Sequence, residues 1–173
     1  MNHIQLTRRR WLRWGLGAVA VAAAGGGWLV SRPPAWQRNQ FGEPAAAVWR
    51  AVAQAFLDGV LPTLPQDRQT ALVAWQERLN QAVASLPPHT QKELAQLLTL
   101  LTLPLGRRTV AGLGPDWVEA SVAEVQAALQ GMRSSRLAPR QQAYLALHDL
   151  TGATYFSDPS TWTVLGYPGP TPL

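Results

Sequence analysis

Leu72, Trp75, Leu79, Val83 and Leu86 recur at steps of three, four, four and three residues, the strongest periodicity in the chain. At 3.6 residues per turn that spacing stacks the five side chains on one face of a helix, and a strand would need a period of two. Gln66, Gln69, Gln76, Glu77, Arg78 and Gln81 fall mostly on the other side. A two-faced helix from about Asp67 to Leu86 follows, and its apolar stripe must be buried against other elements.

Prolines divide the rest of the body into segments of similar length. A first helix is expected from Pro44 to Leu61, with Val48, Val52, Phe56 and Val60 in one stripe, Trp49 beside it and Pro62 ending it. A third is expected from Pro88 to Leu103. Leu94, Leu97, Leu98 and Leu101 give it apolar width on much of its girth, which suits a central position. Thr90 and Glu93 have the spacing of a capping box at its start. Pro104 to Thr109 and Gly112-Leu113-Gly114 read as the longest break. A fourth helix is then expected from Pro115, with Asp116 and Glu119 near its N-terminal dipole, Arg133 near its other end, and Val118, Val122, Val125 and Leu129 inside. A fifth runs from about Pro139 to Thr154, with Tyr144, Leu147 and Leu150 inward and Gly152 weakening its end. No stretch alternates long enough for a strand. The expectation is all-α: a single bundle of four to five helices over residues 45–154, within a chain of 173 residues.

The segment before the bundle reads as an address. Thr7-Arg8-Arg9-Arg10-Trp11-Leu12-Arg13 follows the twin-arginine pattern, with Arg8, Arg9, Trp11 and Leu12 at its defining positions. Trp11 and Arg13 stand where phenylalanine and lysine are usual. Trp14 to Val30 is uncharged, rich in Ala and Gly, and weakly hydrophobic, so charge precedes the apolar run as in a signal peptide. Its 17 residues would span about 26 Å as a helix, the short limit for a bilayer crossing. Both a signal cleaved after the alanines at 20–24 and a retained anchor over residues 14–30 fit. Ser31-Arg32-Pro33-Pro34 breaks the run, and residues 31–44 read as a linker.

The chain carries 15 Lys and Arg against 10 Asp and Glu, for a net charge of +5. Arg8, Arg9, Arg10, Arg13 and Arg32 account for five of those cations, and no acid precedes residue 36, so ten cations face ten acids in the body. A neutral body lacks the basic surface that neutralising phosphates requires, and nucleic acid is not an expected partner. The absence of cysteine excludes disulfides, thiolate metal sites and a cysteine nucleophile.

Residues 155–173 differ from the bundle. Asp158 can cap a turn that has Pro159 at its first position, and Gly166-Tyr167-Pro168-Gly169-Pro170 is too rich in Gly and Pro for helix. An extended, pre-stiffened tail is expected, suited either to a partner's groove or to covering the bundle's own core through Trp162 and Tyr167.

The chain resembles the Tat-exported small subunits of GMC-type flavin-dependent dehydrogenases, including the gluconate 2-dehydrogenase subunit 3-like group. The resemblance covers most of residues 45–170 and rests on short motifs. These are the leucine-rich third helix with Gly106-Arg107-Arg108, Met132-Arg133-Ser134-Ser135-Arg136, and Tyr155-Phe156 through Trp162 into Gly166-Tyr167-Pro168-Gly169-Pro170. A long insertion between helices, found in the gluconate-type proteins, is lacking. The resemblance implies a partner: a large dehydrogenase subunit that carries FAD and is escorted through the Tat translocase, with no cofactor on this chain. Trp117, Tyr155, Trp162, Tyr167, Pro168, Gly169 and Pro170 are the expected docking residues.

Catalytic patterns are sparse. His3, His89 and His148 are far apart, and His148-Asp149 is the single His–carboxylate neighbour pair, on helical positions about 100° apart. No HExxH, nucleophile elbow, P-loop or dinucleotide glycine motif occurs. A non-catalytic escort subunit is the leading expectation. The alternative is a free-standing periplasmic or membrane-tethered helical protein that binds an apolar ligand.

Overall fold

The computed structural model describes residues 35–167 and Gly169. The twin-arginine segment with Arg8, Arg9, Trp11 and Leu12, the apolar run at 14–30, and Pro168 and Pro170 lie outside the described residues. Among the described residues no helix is long and apolar enough to cross a membrane. The fold is mainly helical, with one two-stranded sheet.

The part of the expected linker that is described is structured. β1 (Trp36–Gln37) and β2 (Gln40–Phe41) pair antiparallel, with Trp36 opposite Phe41. Arg38 and Asn39 between them have φ of 50° and 60°, the left-handed pair that a two-residue hairpin turn requires. Strands of two residues are too short to show alternation, so the periodicity test passed over them. The Trp36 and Phe41 rings are 4.6 Å apart, Phe41 lies 5.8 Å from Trp49, and Trp49 meets Trp75 edge-on at 6.3 Å. This aromatic series carries the hairpin into the core. The Trp36 indole N–H donates to Gln91, whose amide in turn donates to the Ala84 and Leu86 carbonyls in the next interhelical turn.

α1 (Glu43–Phe56) ends five residues before the expected Leu61. It buries Val48, Val52 and Trp49, and also Ala45, Ala46, Ala47, Ala53 and Ala55, and it packs against four other helices. It, and not the leucine-rich third helix, is therefore central. Alanines let neighbouring backbones approach from several sides, a property that large side chains do not signal. α2 (Pro65–Ala84) buries Leu72, Trp75, Leu79 and Val83, as the periodicity required. α3 (Pro88–Thr102) starts two residues ahead of Thr90 and has no side-chain cap, so the expected Thr90–Glu93 box does not form.

The region expected as a break is wound. α4 (Pro104–Gly106) is one turn and continues into a π-helical turn, Arg107–Ala111, closed by Gly112 at φ 78°. Two cations hold it. The Arg140 guanidinium donates to the Val110 carbonyl at 2.8 Å, and buried Arg107 pairs with Asp116 at 2.5 Å. Asp116 thus serves the π-turn and not a helix dipole. α5 (Val122–Arg133) begins seven residues after Pro115, where Ser121 and Glu124 form a reciprocal capping box. Val118, expected inside, is exposed, while Val125 and Leu129 are buried. α6 (Ala138–Tyr155) buries Leu147 and runs three residues past Gly152. Tyr144 and Leu150 are half-buried.

Candidate docking surface at the C-terminal tail

The tail starts from a buried anchor. Tyr155 closes α6, is 3% exposed, and donates its hydroxyl to the Val60 carbonyl at 3.2 Å. Burial raises its pKa, and Asp158 adds to the rise while Arg78 opposes it. Phe156 then packs against the core, edge-on to Tyr155 at 5.2 Å.

Beyond Phe156 the chain folds on itself. Asp158 accepts from the Ser160 amide and hydroxyl, at 3.0 and 2.7 Å, and so caps a 3-10 helix, Pro159–Leu165. The sequence foresaw the cap and Pro159; it did not foresee seven helical residues where an extended segment was expected. At the other end Gly166 takes φ 68°, its amide donates to Thr163 O, and the Tyr167 amide donates to Trp162 O. That is a Schellman closure, which only a residue tolerant of the left-handed region allows without strain.

Trp162 is the centre of this small unit. Its indole N–H donates back to Phe156 O at 2.8 Å, and its ring lies 5.4 Å from that of Tyr167. A Cβ placed on Gly169 would sit 3.8 Å from the indole, so Gly169 lies against the Trp162 ring. None of the seven 3-10 residues is buried. Val164, Leu165 and Tyr167 are each about half exposed or more. The tail thus covers its own tryptophan and turns three apolar side chains to solvent.

Arg78 of α2 donates Nε–H to Thr154 O at 3.2 Å and pairs through Nη1 with Asp158 Oδ2 at 3.1 Å. Beside this pair lies a cleft of about 400 Å³, walled by Val60, Pro62, Ala74, Arg78, Asp158 and Val164 among others.

Trp117 stands apart from this group. It is buried, donates its indole N–H to Leu101 O at 2.8 Å, and floors a second cleft of about 160 Å³ between α1 and the α5 entry, with Arg50 and Val118 at its sides. The two clefts share no lining residue. Of the expected docking residues, the structure brings Tyr155, Trp162, Tyr167 and Gly169 to one end of the molecule and puts Trp117 in the core. Val164, Leu165 and Arg78 were missed. Val164 and Leu165 fall between the Asp158-Pro159 turn and the Gly166–Pro170 stretch on which the tail was read, and Arg78 is 80 residues from its partner.

His148 and Asp149 do meet, with Nδ1 2.9 Å from Oδ1, although neighbours on a helix diverge. The imidazole stacks on Tyr144 at 5.5 Å and stands edge-on to Phe56 at 5.2 Å. Both members of the pair are about half exposed, and the surroundings of the imidazole are aromatic faces. Among the described residues no group of three or more His, Asp or Glu could hold a metal ion.

Comparison of the chain with family models, with curated proteins and with solved structures gives no match.

Proposed function

We propose that this protein is a non-catalytic escort subunit that binds a large flavin-dependent dehydrogenase in the cytoplasm and supplies the twin-arginine signal for its export. The observation that carries the reading is the tail, a preformed unit that leaves Val164, Leu165 and Tyr167 exposed. Exposed apolar side chains gathered on one folded segment are the kind of surface that docks a partner where they form a contiguous patch. A unit ordered before contact loses little entropy on docking. The Arg8-Arg9 pair supports the export half, since Tat carries folded cargo and one signal serves two chains that associate first. FAD would sit on the partner, whose chemistry this chain would not share.

The test is capture of the C-terminally tagged full chain from periplasmic and membrane fractions, with an absorption spectrum of the eluate. The expected result is a stoichiometric larger chain bringing flavin absorbance. Arg8→Lys with Arg9→Lys should leave both chains in the cytoplasm. A colourless monomer would sink the reading. It would favour instead a free-standing binding protein, for which the 400 Å³ cleft has a size within the range of small-ligand sites.

A further inference from the structure

We propose that the tail is a hinged lid over the cleft between α2 and the α1–α2 turn, and that Arg78 is the latch that holds it shut. The lid stands on the tail's own contacts and does not depend on which partner the chain serves.

Three observations combine. The first is that the tail is internally complete: Asp158 caps it, Gly166 closes it, and Trp162 packs against Tyr167 and Gly169. A segment stabilised by its own bonds can move as one body without unfolding. The second is that its ties to the bundle sit at the joint. None of the residues in Pro159–Leu165 is buried; Thr161 and Trp162 donate to the Tyr155 and Phe156 carbonyls at the end of α6, and the side-chain bond that joins Asp158 to a distant helix is the one from Arg78. The third is what the tail covers. Asp158, Ser160, Thr161 and Val164 form one wall of the cleft, and Val60, Leu61, Pro62 and Ala74 face them. Lifting the tail removes that wall and turns a cleft of about 400 Å³ into an open apolar groove beside Tyr155.

Arg78 is placed to control the movement because it spans the hinge. Its Nε holds the Thr154 carbonyl in the last turn of α6, and its Nη1 holds Asp158 at the first residue of the lid. Alongside the bonds of Thr161 and Trp162 to the end of α6, one planar guanidinium therefore ties helix and lid to α2 at a set angle, which a lysine ammonium would not. Ser157, between the two contacts, donates its hydroxyl back to Thr154 O, and Asp158 N–H meets Tyr155 O at a long 3.4 Å. The backbone joint itself is weakly tied.

Hydrogen–deuterium exchange on the full chain tests this, with Arg78→Gln as the main variant. The Asp158 amide, whose bond to Tyr155 O crosses the joint, should exchange on the order of 5- to 10-fold faster, as expected for loss of the charge-assisted bond from Arg78 at a partly exposed site, while amides 161, 166 and 167, bonded within the tail, keep their protection. Amides in the middle of α1, α2 and α6 should keep their protection. Asp158→Asn, which retains a capping side chain, should give the same pattern, and Arg78→Lys should fall between. Asp158 exchange that is unchanged in Arg78→Gln would overturn the proposal. So would equal acceleration of amides 161 to 167 or of the helix centres, since the tail would then open only by unfolding or with the bundle.

Discussion

Asp158 carries two duties with one carboxylate, the cap of the 3-10 helix through Oδ1 and the pair with Arg78 through Oδ2. Its pKa is lowered from the ordinary 3.8, first by the Ser160 hydroxyl, then by the Ser160 amide, with a smaller push from Arg78. A carboxyl with a depressed folded pKa contributes stability that is complete above 3.8 and fades as pH falls through the lowered value. The tail's own order should therefore weaken in acid. The amide resonance of Ser160 should titrate with a midpoint below 3.8 in the intact chain. Ser160→Ala should raise that midpoint more than Arg78→Gln does, because the hydroxyl is the larger cause. A midpoint at 3.8 in the unaltered chain would mean that the cap does not hold in solution. The cap was legible from Asp158-Pro159 because it is local, whereas the Arg78 contact depends on bringing α2 beside the end of α6.

Glycines show how differently two elements respond to the same methyl group. Gly106 ends α4 where the chain turns into the π-helical segment, and a Cβ there would lie 2.0 Å from the Leu100 carbonyl oxygen. Backbone cannot yield as a flexible side chain does, so Gly106→Ala should destabilise the protein by roughly 3 kcal/mol or more. Gly152 sits within α6 with nothing inside 4 Å of its would-be Cβ, and Gly152→Ala should stabilise by about 0.5–1 kcal/mol. Urea denaturation of both variants checks the pair, and equal signs would refute the account. The contrast also marks what a sequence displays. Helix α2 was legible because its large apolar residues repeat at 3.6, whereas α6 buries Leu147 of the expected inward set together with Ala143, Thr151, Thr154 and Tyr155, which that pattern does not mark. The centrality of α1 was not legible, because it rests on alanines whose value is what they permit others to do. The winding of residues 104–111 was hidden by Pro104 and Gly106, which signal a break locally, while Arg107 and Arg140 overrule them through distant partners. The hairpin's turn residues, Arg38 and Asn39, lack the glycine that announces such turns.

At the scale of the molecule, exposed Val164 lines the cleft at the tail end, with Leu165 and Tyr167 exposed on the same unit, and exposed Val118 lines the cleft at the α5 entry beside buried Trp117. A neutral body gives electrostatics little part in choosing between them, so burial of apolar groups must decide which face docks. The tail is favoured because its groups sit on a rigid, locally closed unit, whereas Val118 lies in the turns that lead into α5. The choice can be tested by charge. Val164→Asp with Leu165→Asp changes only exposed positions, so the unfolding free energy should stay within about 0.5 kcal/mol per site. Capture of the proposed flavin-bearing partner should nevertheless fall at least about tenfold, since an unpaired carboxylate at the centre of an apolar contact must be desolvated. Val118→Asp, at a position 76% exposed, should leave capture unchanged. The reverse result, with Val118→Asp abolishing capture and the tail pair retaining it, would move the docking face to the Trp117 cleft. The tail would then serve the cleft beside Arg78 alone.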